Sequence, residues 1–212
     1  MKDKLAAYAR FVQQMVTKSR DALVNGRREL LDDIIGRDEA RANASEMDLD
    51  EEGTSIIAQH QPMARDLRTV LMVLRITNDL ERMADHAVNI AEALKEHAAV
   101  RGPLADPEVA RMFDVTLGMV DSAIRAFLDE DAALGQAVCR QDATVDALAT
   151  SALERLSSSM TDDPATVERN LVLLKVAGNL ERVADLSTNI GEDVIYMVEG
   201  RVIKHHHAEG PR

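Results

Sequence analysis

The sequence predicts an all-α protein built as two repeated three-helix bundles. Three observations predict it. The stretch "NDLERMADHAVNIAE" at 78–92 returns as "GNLERVADLSTNIGE" at 178–192, agreeing at Leu80/Leu180, Glu81/Glu181, Arg82/Arg182, Asp85/Asp185, Asn89/Asn189, Ile90/Ile190 and Glu92/Glu192. The composition is 46% apolar, yet aromatics supply only 2% and tryptophan is absent, so Ala, Leu, Val, Ile and Met do the packing, a palette that suits helix against helix. The period-two alternation of a half-buried strand is missing throughout.

Residues 5–35 carry Leu5, Tyr8, Val12, Met15, Ala22, Leu30 and Ile34 at helical spacing, with Gly36 as the expected stop. A second helix is expected over 38–61, ended by Pro62, whose ring cannot continue the hydrogen-bond ladder. The third, over 63–99, holds the first copy of the motif. "VRGPLADPE" at 100–108 gathers two prolines and a glycine and is the strongest break in the chain. Helices over 107–132, 136–159 and 164–203 then repeat the cycle, the last with the second copy and with Pro164 near its first turn. Residues 1–102 and 103–212 are thereby expected to be the two repeats, the second trailing a short disordered tail.

A formal charge of −12 disfavours direct binding to nucleic acid or anionic lipid, which needs clustered Lys and Arg, and suits cations or a basic partner surface. The single cysteine, Cys139, reads as a core thiol of a cytosolic protein. The start "MKDKLAAYARFVQQM" has charges where a signal peptide needs an apolar run, and no stretch approaches the roughly 18 apolar residues of a membrane span, so contact with a membrane is expected only through partners.

At about 100° per residue, Glu81 at 0° places Asp85 near 40°, Asn89 near 80° and Glu92 near 20°, one narrow stripe opposite an arc of Leu80, Met83, Ala87, Ile90, Ala91 and Leu94. Glu181, Asp185, Asn189 and Glu192 repeat it. Such a stripe is ordinarily a solvated face, and Arg82 and Arg182, three residues before Asp85 and Asp185, are placed for surface ion pairs. Glu81 and Glu181, however, have no Lys or Arg one turn away and face a like-charged Asp, which costs a few tenths of a kcal/mol. The second helices add Glu39, Asn43, Glu46 and Asp50 in one half and Asp142 with Asp146 in the other. If each second helix neighbours the third, these oxygens face the stripes and form hard ligand sets for divalent or ferric ions. No Glu-x-x-His di-iron pattern, no phosphate-cradling GxxxxGK[ST] loop and no GxSxG elbow occurs, so catalysis is not indicated.

With the two "LERxAD" copies and "QPMARDLR" (61–68) placed, the chain resembles the PhoU family of bacterial phosphate-uptake regulators. "IIAQHQPMARDLRTVLMVLRITNDLERMADHAVNIAE" and "NLERVADLSTNIGEDVIYMVEG" carry the resemblance, which spans essentially the whole chain. It implies two three-helix bundles related by an internal pseudo-twofold. It implies a cytoplasmic, non-enzymatic accessory protein, a homodimer, acting as a negative regulator of the phosphate-starvation response. Its partners would be the ATPase of the phosphate ABC transporter and a sensor histidine kinase. It further implies multinuclear iron or zinc on Glu/Asp-x-x-x-Asp motifs, which fall on Glu81 with Asp85, Glu181 with Asp185 and Asp142 with Asp146. In the first half Glu39 pairs with Asn43, an amide in place of the second acid, while Glu46 with Asp50 restores the spacing. Asn89 and Asn189 join the expected ligands, and Arg82, Arg182, Glu92 and Glu192 the expected partner contacts. Two other readings compete: a carboxylate-bound iron protein with redox activity, which needs an enclosed pocket with open coordination positions, and a metal-free helical adaptor.

Overall fold

The computed structural model of the chain describes residues 1–97, 104 and 106–200. Those residues are helical almost throughout and include no strand. In order they form α1 (Lys2–Asn25), a single turn α2 (Glu29–Asp32), a π-helical turn (Asp33–Asp38), α3 (Glu39–His60), α4 (Ala64–Glu96), α5 (Pro107–Asp129), α6 (Ala132–Asp162), a 3₁₀ turn (Pro164–Thr166) and α7 (Val167–Glu199). None of these helices is long and apolar enough to cross a membrane. The expected boundary at 102/103 and the tail beyond 200 lie outside the described residues.

The first helix departs from expectation. It ends at Asn25, where Gly26 takes the left-handed conformation (φ 70°) and returns its amide to the Asp21 carbonyl. An Asn-Gly pair is a strong turn signal, and a single helix through residue 35 overlooks it. Leu31 and Ile34 are buried as a helical spacing requires, but on the helix that leads into α3. Gly36 is therefore no stop; it sits exposed inside the π turn. Asp38, buried at the end of that turn, is neutralised by Lys18 of α1 and by Arg37.

The remaining boundaries follow local chemistry. Gln61, ahead of Pro62, leaves α3 through the left-handed region (φ 44°). Asp106 caps α5 by accepting from the amides of Glu108 and Val109, with Pro107 in the first turn. Asp131 accepts from Leu134 and starts α6 a turn earlier than its apolar spacing suggests. Asp163 accepts from Ala165 beside Pro164.

Helices α1, α3 and α4 make the first bundle and α5, α6 and α7 the second. The bundles share a seam, α4 against α7 and α1 against α5. Along it Arg75 reaches Asp193 at 2.8 Å and His86 Nδ1 meets Asn179 Oδ1 at 2.9 Å, so numbers rise on α4 as they fall on α7 and the two run antiparallel. The apolar arcs predicted for the two motif copies meet in a continuous core: Leu80, Met83 and Ile90 are fully buried with Leu180, Val183 and Ile190. Burial of each such side chain favours folding by about 1.5–3 kcal/mol.

The two bundles make their close helix contacts at different places. A Cβ built on Gly135 of α6 would stand 2.8 Å from the Gly191 carbonyl oxygen of α7, and one on Gly191 2.9 Å from that of Gly135. The two backbones thus touch. When the buried pair Val138 and Val145 of α6 is aligned with the buried Ala42 and Leu49 of α3, Glu39 and Ala91 take the places of Gly135 and Gly191. Side chains thus stand in the first bundle where the second has backbone contact, and the close approach of α3 to α4 comes instead at Gly53, where a Cβ would stand 2.5 Å from Leu74 Cδ2.

Candidate functional site

In the first bundle the expected carboxylates do converge. Glu46 of α3 lies near Asp85 of α4 and near Asp50 on its own helix, and Glu81 lies near Asp85 and Glu46. Burial, then repulsion by Asp85 and Glu46, holds the Glu81 carboxyl above the usual carboxylate range. Burial, then Asp50 and Asp85, raises Glu46 likewise. Tyr8 of α1 completes the group. Its hydroxyl is buried without a hydrogen-bond partner, and burial, then Glu46, Glu81 and Asp85, holds its proton on well above the ordinary range. Nothing in the sequence marks Tyr8 as other than a core residue, which its ring also is. Glu39 is not among the groups that act on Glu81 or Glu46.

The two stripes differ in their counter-charges. Arg182 donates to Asp185 at 3.2 Å, the local ion pair the spacing suggests. Arg82 turns the other way, to Asp79 at 3.9 Å, and offsets only part of the repulsion at Glu81. Asn89 and Glu92 are exposed beyond them on α4. In the second bundle Glu181 is half-buried, Asp142 half-buried and Asp146 exposed. Cys139, one turn before Asp142, has its thiol pushed up to about 11 by burial, then Glu192, with Asp142 adding less, so it is an unreactive core-edge thiol.

Asn189 and Glu192 project into an open groove of about 1080 Å³ between α3, α4 and α7, which Glu46 and Asp50 enter from the other side. Its floor includes two residues the sequence reading passed over, Asp79 and Asp193, each 8% exposed. Asp79 is raised to about 6 by burial, then by Asp193, against the pull of Arg82 and Arg75. A signal was present: at about 160° from Glu81, Asp79 falls among the apolar residues of α4, where an acid is out of place.

As donors for iron or zinc, the first-bundle oxygens fit in chemistry and charge: hard carboxylates, mutually repelling, beside a phenol whose buried oxygen has no partner. Among the described residues no three His, Cys, Asp or Glu stand close enough to share one ion. Glu81 and Asp85 already stand within hydrogen-bond reach of each other, and Asp50 and Asp85 are exposed, so gathering a third oxygen is a change of rotamer rather than of fold.

The PhoU domain family model matches residues 5–94 and 109–194, one match per bundle. A phosphate-specific transport system accessory protein PhoU homolog of Pseudomonas putida is 33% identical over 206 residues, covering 97% of this chain and 80% of its own. The homolog of Aquifex aeolicus is 33% identical over 208 residues, covering 97% and 93%. The crystal structure of PhoU from Pseudomonas aeruginosa superposes with a TM-score of 0.85 at 32% identity, over 94% of this chain and 95% of that one. The regulatory protein PhoU of Streptococcus pneumoniae, at 24% identity and a TM-score of 0.88 over 96% and 95%, shares the fold. With both repeats matched, the fold shared and the duplicated motif in register, the chain belongs to the PhoU family.

Proposed function

We propose that this chain is a non-enzymatic regulator of phosphate uptake that works by contact with other proteins, its unpaired carboxylates receiving positive charge. The observation that carries the reading is the match along nearly the whole chain to proteins named as accessories of the phosphate-specific transport system. The geometry supports it: the carboxylates of Glu46, Glu81 and Asp85 lie on stable helices at a partly open surface, where charge steers encounter and rejects unsuitable partners. The partners in this reading are the transporter's ATPase and a sensor histidine kinase, bound in the cytoplasm when phosphate is ample, by a chain that self-associates as a homodimer. Iron or zinc held by Glu46, Asp50, Glu81 and Asp85, with Glu181, Asp185, Asp142 and Asp146 as the second set, would cancel the repulsion and stiffen each bundle.

Capture of the tagged chain from cells grown in high and in low phosphate, with mass spectrometry of what is retained, tests the reading. Recovery of the transporter ATPase or the kinase in high phosphate alone is the expected result; recovery of neither in both conditions contradicts it. Size-exclusion chromatography with light scattering reads the homodimer in the same preparation.

A further inference from the structure

The groove lies between α3, α4 and α7. Its charge is one-sided. Glu46, Asp50, Asp79, Glu192 and Asp193 line it against one base, Arg75, already engaged by Asp193 at 2.8 Å. Among the described residues Glu46, Asp50 and Glu192 form no ion pair with a base. Among the acids the lining also includes the apolar side chains of Leu71, Leu74 and Tyr196, with Leu71 42% exposed.

We propose that this groove docks a basic amphipathic helix of a protein partner, its apolar side chains on Leu71, Leu74 and Tyr196 and its Lys or Arg against Glu46, Asp50 and Glu192. Size, polarity and shape agree. Along α4 the lining runs from Leu71 to Asp79, a length that matches about two turns of an occupying helix. These apolar side chains supply the burial that anchors such a helix, and the acids set its register. The occupant would touch both repeats at once, because Glu46 and Asp50 belong to the first and Glu192 and Tyr196 to the second. The corresponding positions on the opposite side of the seam repeat the pattern in part: Leu171, Leu174, Glu92, Asp142 and Asp146 stand for Leu71, Leu74, Glu192, Glu46 and Asp50, whereas Asn179 stands for Asp79, Ala93 for Asp193 and Glu96 for Tyr196. Tyr196 and the buried acids Asp79 and Asp193 distinguish this groove from its counterpart.

This deepens the regulator reading, on which it rests for the existence of a protein partner. The test uses purified chain and a synthetic helix, so its failure and the failure of capture from cells are separate results. The probe is a fluorescein-labelled peptide repeating Leu-Lys-Lys-Leu-Leu-Lys-Leu twice, followed by anisotropy at low and high salt. Glu46→Gln/Asp50→Asn/Glu192→Gln is expected to weaken binding about tenfold or more and to flatten its salt dependence, and Leu71→Asn to weaken it with the salt dependence retained. Asp129→Asn/Glu154→Gln/Asp162→Asn removes equal charge from exposed sites elsewhere and is expected to change affinity less than about twofold. Equal loss in the two triple variants, which is the signature of unspecific attraction to an acidic protein, or no loss in the groove variants, overturns the proposal.

Discussion

Gly135→Val is expected to lower the stability of the folded chain by about 3 kcal/mol, and Gly135→Ala by about 1–2 kcal/mol. Helix propensity argues the other way, since alanine in a helix interior gains up to about 1 kcal/mol over glycine. Packing wins because the obstacle is backbone: the new Cβ meets the Gly191 carbonyl oxygen at 2.8 Å and Ile195 Cγ1 at 3.4 Å. Neither helix can yield without pulling the buried Val138 and Val145 off α7. Gly178 is the internal control. It lies in the interior of α7, exposed, with nothing within 4 Å of a Cβ, so Gly178→Ala should gain about 0.5–1 kcal/mol. Urea unfolding followed by circular dichroism measures both. A Gly135→Val protein as stable as the parent would contradict the backbone contact between α6 and α7.

Asp79→Asn is expected to stabilise the chain by about 1–2 kcal/mol above pH 7. The folded-state pKa is raised from 3.8 to about 6, first by burial and then by Asp193. Ionised Asp79 therefore costs stability. That cost is present above about pH 6 and disappears as pH falls toward 3.8, because between the two values the folded state holds the proton more firmly than the unfolded one. At ~1.4 kcal/mol per pKa unit the full conversion is about 3 kcal/mol, reduced here because the groove is open and Arg75 and Arg82 are close. The gain from Asp79→Asn should accordingly shrink as pH is lowered through 6. The second repeat already carries the amide, as Asn179. Urea unfolding at neutral and at mildly acidic pH checks the sign: a loss of stability at neutral pH, or a gain that grows on acidification, is contrary to it.

Much of this architecture is legible in the residues alone, for physical reasons that also mark where legibility ends. The apolar arc of the duplicated motif, Leu80 through Leu94, is the buried face, because a helix period and a hydrophobic core leave few other arrangements. Periodicity, however, says that a face is covered and not by what. The seam of α4 with α7 and the opening between α3, α4 and α7 arise from packing between segments a hundred residues apart, so Asn189 and Glu192 face the groove together with Glu46 and Asp50. The break after Asn25 was obscured for another reason: Leu30 and Ile34 keep helical spacing, but on a different helix. Of the candidate ligands, the approach of Glu46 to Glu81 and Asp85 needed only that the second and third helices be neighbours. The side chosen by Arg82 is a different matter, since an arginine at that position has an acid within reach both before and after it, at Asp79 and Asp85.

The central proposal is that Glu46, Glu81 and Asp85, acids that repel one another with Arg82 offsetting part of the repulsion at Glu81, accept a cation. Equilibrium dialysis of the purified chain against zinc, with metal analysis, reads it directly. The parent should retain zinc. Glu81→Gln/Asp85→Asn should lose the first-bundle share at unchanged helicity, a larger loss than Glu181→Gln/Asp185→Asn produces, because Arg182 already neutralises Asp185. Retention should also fall with pH as the raised carboxyls of Glu81 and Glu46 take up protons. Zinc content identical in the parent and in Glu81→Gln/Asp85→Asn would contradict the assignment.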